Sequence, residues 1–438
     1  MLIKYLKSRI SSDNPLRLAY HQIVAVAAAL YYRFPSRYLN VIGVTGTKGK
    51  TTTVNLIAAI LSEAGFKVGM TSTINFRVNN LQWSNPAKIT TLGPFFLQKI
   101  LRQMVHEGCT HAILEVSSHS IHQNRVWGIN FDTAVLTNVG EDHLEYHGGF
   151  QNYLRIKGLL FAHLNRSQRK PRVPKASVLN VDDPNFLYFD EFLADRKYTY
   201  GMSGGTCRAS DIVLNANGAV FDLNVPNQSL RISLKLPGQF NVYNAVAASA
   251  VALANGINLN VIKTALEKAS VIPGRLEVID CGQKYTIIVD YAHTHDSLEK
   301  LLALYRKLTK NKLFVVFGAT GGGRDKSKRP KMGAVADKYA DYIIVTDDDP
   351  YEEDEWKIIE EVASGIKREE GKNFWKIPHR NEAIKLALDL AKAGDVVVIA
   401  GKGCEEIQII GDKKIPWDDR KVVRNLLSQP VSVEIRTK

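Results

Sequence analysis

The pattern that most limits what this chain can fold into is a repeated alternation. Short, almost wholly apolar runs rich in β-branched residues are each followed by a glycine-rich or polar turn and then by a helical stretch. The clearest runs are 40–44, 112–116, 134–136, 287–289, 313–317, 342–345 and 396–399. A strand that is apolar on both sides must be covered on both faces, and helices between such strands make the sheet parallel. Open sheets of this kind bind ligands beyond the carboxyl ends of their strands, where this chain keeps its polar residues. One sheet is expected from about Asn40 to about Ile272 and a second from Gly274 onward, with Pro273-Gly274 as the breaker. Residues 207–236 alternate apolar and polar around Asn215-Ala216-Asn217-Gly218, which predicts antiparallel hairpins at the end of the first sheet.

At 438 residues the chain suits two or three such domains rather than one core. Its net charge of +13 is spread along the chain without a dense Lys/Arg block, which favours a small anionic substrate and excludes a nucleic-acid stripe. The four cysteines are far apart and show neither CxxC spacing nor histidine companions. No zinc site or disulfide framework is expected, and a reducing cytoplasm is the simplest setting. The apolar run 23–32 falls short of the roughly 20 residues that span a bilayer. It also lacks a cleavage pattern, so it predicts a packed, alanine-rich helix and no membrane span.

The strongest local signal is Gly43-Val44-Thr45-Gly46-Thr47-Lys48-Gly49-Lys50-Thr51-Thr52, between a strand and a helix. Glycines let backbone N–H groups turn toward phosphate oxygens, and the helix start adds its positive end. The segment Gly46, Thr47, Lys48, Gly49, Lys50, Thr51 and Thr52 is the expected nucleotide cradle. Lys50 would reach the β- and γ-phosphates, and the Thr51 hydroxyl would ligate Mg2+. The first glycine of GxxxxGK[ST] is replaced by Val44, so the match is not strict. Glu115 closes another apolar run, and a carboxylate there can hold Mg2+ directly or through water. Spacing by itself leaves His143, in Gly140-Glu141-Asp142-His143, and Lys157, in Tyr153-Leu154-Arg155-Ile156-Lys157, open between a structural and a functional role.

Gly-Thr-Lys-Gly-Lys-Thr-Thr, Glu-Val-Ser-Ser-His, Asp-His-Leu-Glu-Tyr-His-Gly, Tyr-x-x-x-Lys, Asn241-x-x-Asn244-Ala245, Pro273-Gly274-Arg275, Asp290-Tyr291-Ala292-His293-Thr294 and Gly401-Lys402-Gly403 follow one another here. This series resembles the Mur ligases over about residues 18–424. Within them it is most similar to the tripeptide-synthetase branch, which adds a diamino residue in peptidoglycan synthesis for the cell wall. The resemblance implies an α/β chain in three parts: a remnant N-terminal helical segment (1–39), a central P-loop-type parallel-sheet ATPase domain (40–273) and a C-terminal Rossmann-like ligase domain (274–438). It implies an ATP-dependent carbon–nitrogen ligase that forms an acyl phosphate and releases ADP. Lys50, Lys157 and His143 would be the catalytic residues. Thr51, Glu115, His143 and a carbamylated Lys157 would hold two Mg2+ ions, and Asn244, Arg275 and Asp290 would contact ATP. Thr90, Thr91, Ser117, Gln123 and Arg125 would hold an anionic nucleotide-peptide substrate. Arg324, Asp348, Gly401 and Glu405 would surround the incoming diamino acid.

Three departures accompany the resemblance. Only about forty residues precede the phosphate loop, so a different carrier or a partner protein replacing an N-terminal domain is expected. The Asp-Asn-Pro-Arg of diaminopimelate-selecting ligases reads Asp348-Asp349-Pro350-Tyr351, in a run of seven acids over residues 347–355. A tyrosine cannot pair bidentately with a carboxylate. The acids either suit the ammonium of an L-lysine-like amine or form a solvated loop. In the third departure, Cys404 stands where the family has histidine, with Glu405 kept. The competing readings are a folylpolyglutamate- or cyanophycin-type ligase on another carrier, and a regulatory protein that binds ATP without ligating.

Overall fold

The computed structural model describes residues 14–85, 90–141, 144–215, 218–269, 273–323 and 325–428. They fall into two compact units, one of the described residues up to Leu214 together with 218–269, the other of those from Pro273 onward with Asn215.

In the first unit the apolar runs become the middle of an eleven-stranded sheet. Its strands are β1 (Asn40–Thr45), β2 (Val68–Thr71), β3 (Asn75–Val78), β4 (Leu81–Ser84), β5 (His111–Glu115), β6 (Thr133–Leu136), β7 (Ala176–Asn180), β8 (Arg196–Gly201), β9 (Cys207–Asn215), β10 (Gly218–Val225) and β11 (Gln228–Leu234). Their order is β11-β10-β9-β8-β7-β6-β1-β5-β2-β3-β4. The centre is parallel: β1 lies between β5 and β6, β2 joins β5, and β7 and β8 continue from β6. Every residue of β5, β6 and β7 is buried, as runs without polar alternation require. The margins are antiparallel, in β2–β3–β4 and β10–β11. There the burial alternates along β9 and β10, so the hairpin expected over 207–236 is found, although Ala216 and Asn217 lie outside the described residues.

Two helices fix the face that bears the site. Lys50–Glu63 follows β1 and packs on Gln239–Ala254, whose alanine-rich sequence is buried almost throughout and allows close approach. On another part of the unit, Phe150–Arg166 sets Leu160, Phe161 and Leu164 into a core with Phe131 and Phe189. The run at 23–32 forms the end of a Pro15–Tyr31 helix that buries Ala25, Ala28 and Ala29 and stops where Arg33 and Phe34 turn left-handed, at φ 58° and 50°. Among the described residues no helix is long and apolar enough to cross a membrane.

The second unit is a separate sheet of β12 (Glu277–Ile279), β13 (Thr286–Asp290), β14 (Leu313–Phe317), β15 (Tyr342–Val345), β16 (Phe374–Lys376) and β17 (Val396–Ala400), ordered β12-β13-β17-β14-β15-β16. All its pairs are parallel except β12 with β13. Alternate residues serve opposite cores. Val315, Phe317, Ile343 and Val398 join one apolar cluster, whereas Phe314, Val316, Ile344 and Val397 join the other. A hairpin of β18 (Ile407–Ile410) and β19 (Lys413–Pro416) follows β17.

Gly43 shows how tightly the strand below the phosphate loop is packed. A Cβ there would lie 2.7 Å from the Phe131 ring and 3.3 Å from Leu160. Gly43→Ala is expected to destabilise the fold by about 1–3 kcal/mol through overpacking. Urea unfolding measures this, and an unchanged midpoint would show that Phe131 moves aside at no cost.

Candidate active site

The phosphate loop is shaped by two glycines that nothing else could replace. Gly46 has φ 151°, and a Cβ on it would stand 1.8 Å from Thr137 Oγ1. Gly49 is left-handed at φ 83° and caps the Lys50–Glu63 helix; a Cβ there would meet Asn244 Oδ1 at 2.3 Å. The segment that follows β6 holds the loop: Thr47 N–H donates to the Asn138 carbonyl (2.8 Å), Lys48 N–H to Asn138 Oδ1 (3.0 Å), and Thr137 Oγ1 to the Lys48 carbonyl (2.7 Å). Thr51 and Thr52 are buried in the first helical turn. Asn244 accepts from Thr53 Oγ1 (3.3 Å) and donates to Asn241 (3.1 Å), which places it behind Gly49.

Two lysines end on one oxygen of this loop. Lys50 Nζ donates to the carbonyls of Gly46 and Thr47, both at 3.0 Å. Lys157 Nζ, 1% exposed on the Phe150–Arg166 helix, donates to the same Gly46 carbonyl at 2.8 Å and lies 4.4 Å from the centre of the Tyr153 ring. Tyr153 Oη in turn bonds Thr47 Oγ1 at 3.0 Å. Sequence position separates Lys157 from the loop, yet the helix returns it there.

Glu115 ends β5, directly beside β1. Its Oε2 accepts from Thr51 Oγ1 (3.0 Å) and Thr73 N–H (2.7 Å), and its Oε1 from Thr73 Oγ1 (2.9 Å). A hydroxyl and a carboxylate beside a phosphate loop are hard oxygen donors, the set that suits Mg2+. His143 lies outside the described residues. Next to its position in sequence, the Gly140 N–H donates to Thr47 Oγ1 (3.0 Å) and His147 Nε2 bonds Ser118 Oγ (3.0 Å).

From Glu115 a polar chain leads through all five residues expected to hold the acyl substrate. Thr73 Oγ1 lies 3.1 Å from Thr90 Oγ1, and Thr91 Oγ1 donates to the Glu115 carbonyl (3.0 Å) and accepts from Ser117 N–H (3.1 Å). Arg125 reaches the Thr91 carbonyl (2.8 Å) and, through Nε and Nη2, Gln123 Oε1 (2.9 and 2.6 Å). Burial pulls the Arg125 pKa down, a strain that an anion beside it would relieve. Gln123 Nε2 donates to Tyr146 Oη at 2.7 Å. Thr73 was not foreseen, because it stands in no recognisable spacing, and Tyr146, though within Asp-His-Leu-Glu-Tyr-His-Gly, was given no role.

This geometry can be set beside known proteins. The family model for the Mur ligase middle domain matches residues 44–252, and that for the Mur ligase glutamate ligase domain matches residues 274–403. A UDP-N-acetylmuramoyl-L-alanyl-D-glutamate--2,6-diaminopimelate ligase of Geobacillus kaustophilus is 45% identical over 418 residues, covering 95% of this chain and 84% of that protein. The chain belongs to the Mur ligase family. Mur ligases are ATP-dependent, ADP-forming ligases that use Mg2+, and this chain is one of them. A solved structure of a ligase of that same name aligns with a TM-score of 0.65 and 34% identity over 89% of this chain and 78% of that one. The folylpolyglutamate synthase of Mycobacterium tuberculosis aligns at 0.69 with 17% identity over 98% of each chain, a likeness of fold alone.

In the glutamate ligase domain the remaining predicted residues fall into two groups; Arg324 lies outside the described residues. Near β13, the Arg275 guanidinium stacks 4.9 Å from the Tyr291 ring. Buried Asp290 accepts from Leu276 N–H (2.8 Å), and burial raises its pKa. Beyond β15 and β17, Asp348, Gly401 and Glu405 gather around Lys402, a residue the sequence displayed within Gly-Lys-Gly but to which no role was given. The acidic run is not a solvated loop. Asp347, Asp348 and Asp349 are buried, Glu353 pairs with Arg329 (3.2 Å) and Lys326 (2.9 Å), and Asp354 caps the Glu355–Ala363 helix. Most of these acids serve the fold, which removes much of their weight as a receptor for a free ammonium. Cys404 is half-buried with its thiol pushed up to about 11 by burial, consistent with a small replacement and no nucleophile.

Burial also pushes Asp347 up to about 7, against the pull of Arg380 and Lys402 and with the push of Glu355 and Asp348. The folded state therefore holds this proton more tightly than the unfolded chain, whose carboxyl titrates at 3.8. Its contribution to stability is complete below about pH 4 and is lost as the pH rises through about 7. Asp347→Asn cannot ionise, so its melting temperature relative to the unmodified chain should be higher at pH 8 than at pH 4.5, by a few degrees. A difference that does not vary with pH would show that Asp347 is ionised throughout.

Proposed function

We propose that this Mur ligase joins a 2,6-diamino acid to the free carboxylate of a UDP-N-acetylmuramoyl-L-alanyl-D-glutamate precursor, in the cytoplasm, for peptidoglycan synthesis. The observation that carries the reading is the convergence of Lys50, Lys157, Thr51 and Glu115 on one loop, with the Thr91–Ser117–Gln123–Arg125 chain beside it. The names of the similar ligases supply the substrates.

The chemistry must bring two anions, the γ-phosphate and the substrate carboxylate, to within about 3 Å. Lys50, seated over the loop carbonyls, neutralises phosphate charge as it develops, and the helix start directs N–H groups at the same oxygens. Arg125 holds the acyl substrate's negative charge, with Gln123 fixing the guanidinium. Thr51, Glu115 and His143 would hold Mg2+, two ions in all, which supply further charge neutralisation. Unmodified, the Lys157 ammonium would crowd that of Lys50 on the Gly46 carbonyl. A carbamylated Lys157 exchanges that clash for a carboxylate beside the metals. The carboxylate oxygen attacks the γ-phosphorus and ADP leaves; the amine then attacks the acyl phosphate and inorganic phosphate leaves, giving the amide. Asn244, Arg275 and Asp290 are assigned to the nucleotide on the resemblance.

Diaminopimelate is the amine the relatives' names favour. Tyr351 favours the second reading, L-lysine. Its backbone is left-handed at φ 52° and clamped by the β18–β19 hairpin, through Tyr351 N–H to the Ile409 carbonyl (3.3 Å) and Gly411 N–H to the Tyr351 carbonyl (2.7 Å). A phenol in that place offers a distal carboxylate no ion pair.

The purified chain, given ATP, Mg2+, the UDP-linked dipeptide and single amino acids, is expected to release phosphate and gain the mass of diaminopimelate. Turnover with lysine alone would transfer the assignment to lysine. No turnover with either, together with phosphate release stimulated by DNA or with glutamate added to a folate, would overturn the cell-wall reading. Lys157→Ala should lower kcat at least about 100-fold with intact folding. Full turnover in that variant would remove Lys157 from the chemistry.

A further inference from the structure

Lys402 follows β17 with no exposed side-chain surface, ringed by three carboxylates: Asp349 Oδ1 at 2.8 Å, Glu405 Oε2 at 3.0 Å and Asp348 Oδ1 at 3.5 Å. Oxygens of these three acids lie within 4.8 Å of one another, a spacing that could hold a metal ion. The ammonium takes that central place instead. Three N–H donors on a point charge suit three acceptors that no bidentate fork would satisfy.

The neighbouring cation, Arg380, is equally buried. It grips Asp419 through Nε (2.8 Å) and Nη2 (2.7 Å) and donates to the Asp347 and Ala400 carbonyls. Arg380 and Lys402 thus lie among the carboxyl groups of Asp347, Asp348, Asp349, Glu405 and Asp419. Gln408 bonds Asp347 Oδ2 (2.7 Å), but the buried Asp347 Oδ1 has no partner among the described residues. Asp348 turns its Oδ2 over Gly401, where φ is 116° and a Cβ would stand 3.1 Å away.

We propose that Lys402 is a positioning residue that fixes Asp348 and Glu405 at the spacing with which they receive an ammonium group of the incoming diamino acid. This rests on the reading of Asp348 and Glu405 as amine-side residues given above. Asp349 is independently anchored by the Ile409 N–H at 2.9 Å. It therefore holds the lysine, and the lysine holds the other two acids. Without the ammonium the three carboxylates repel one another. One takes up a proton, and a protonated carboxyl presents a donor where the substrate needs an acceptor.

The test is steady-state kinetics of the full chain carrying Lys402→Met, of similar length but uncharged. The KM for the diamino acid should rise about tenfold or more, while the KM values for ATP and the UDP-linked dipeptide stay within about twofold. The acid limb of amine KM against pH should move up by about one unit. Lys402→Arg, which keeps the charge, should recover part of the loss. If Lys402→Met fails to fold by circular dichroism, Asp349→Asn replaces it, with an expected rise of about threefold in the amine KM alone. Equal rises in all three KM values, or an amine KM within about twofold of the unmodified chain, would overturn the positioning role. An unmodified chain that releases no phosphate with any diamino acid would sink the ligase reading and this inference with it. Normal turnover with an unmoved amine KM in the variants would sink only the role of Lys402.

Discussion

A single carbonyl oxygen organises the ATP end of this molecule. Gly46 offers it, and the ammonium groups of Lys50 and Lys157 both bind it, although Lys157 lies 111 residues further along the chain. Cations meeting on one neutral dipole are at ease only if negative charge arrives, and phosphate is what a loop of this shape attracts. The arrangement also explains why the loop must be glycine at 46 and 49. The segment that follows β6 and the Gln239–Ala254 helix press so closely that a methyl group would strike Thr137 or Asn244.

The sheet order gives the site its second half. With β5 and β6 on either side of β1, the carboxylate ending β5 stands beside the loop, and the strand end after β6 grips it from the other side. Glu115 then ties the Thr51 hydroxyl to Thr73 and onward to Thr90 and Thr91. The phosphate loop and the residues proposed for the acyl substrate thus share one hydrogen-bonded network rather than sitting as independent patches. The second unit works by a different rule. Its cluster of acids around Lys402 and Arg380 is not solvent-facing charge but a buried set, and its β18–β19 hairpin is tied to Asp347, Asp348 and Asp349 through Gln408 and Ile409.

Much of this was legible in the amino-acid order. Continuous apolar runs specify strands buried on both faces, and such strands with helices between them allow little but parallel sheets, so both sheets could be read before any coordinates. Glycines at 46 and 49 before Lys50-Thr51 specify a phosphate loop, because their backbone freedom and the helix start are local properties. The resemblance named Glu115, Lys157, Ser117, Gln123 and Arg125; the fold brings Lys157 onto that loop, sets Glu115 against Thr51, and links Ser117, Gln123 and Arg125 to one another through Thr91. What order alone left undecided was which residues meet. Thr73 carries no motif and Tyr146 stands in one without an assigned role, and they matter only because the β2–β3 turn and the segment before the Phe150–Arg166 helix come to lie against Glu115 and Gln123. The acidic run at 347–355 reads as solvated charge in one dimension. Only tertiary structure shows Lys402, Gln408, Arg329 and the Glu355–Ala363 helix claiming its members. Local sequence determines backbone preference and burial pattern, which act over a few residues. The pairing of charges depends on distance in space, and that is set by the packing of segments far apart in the chain.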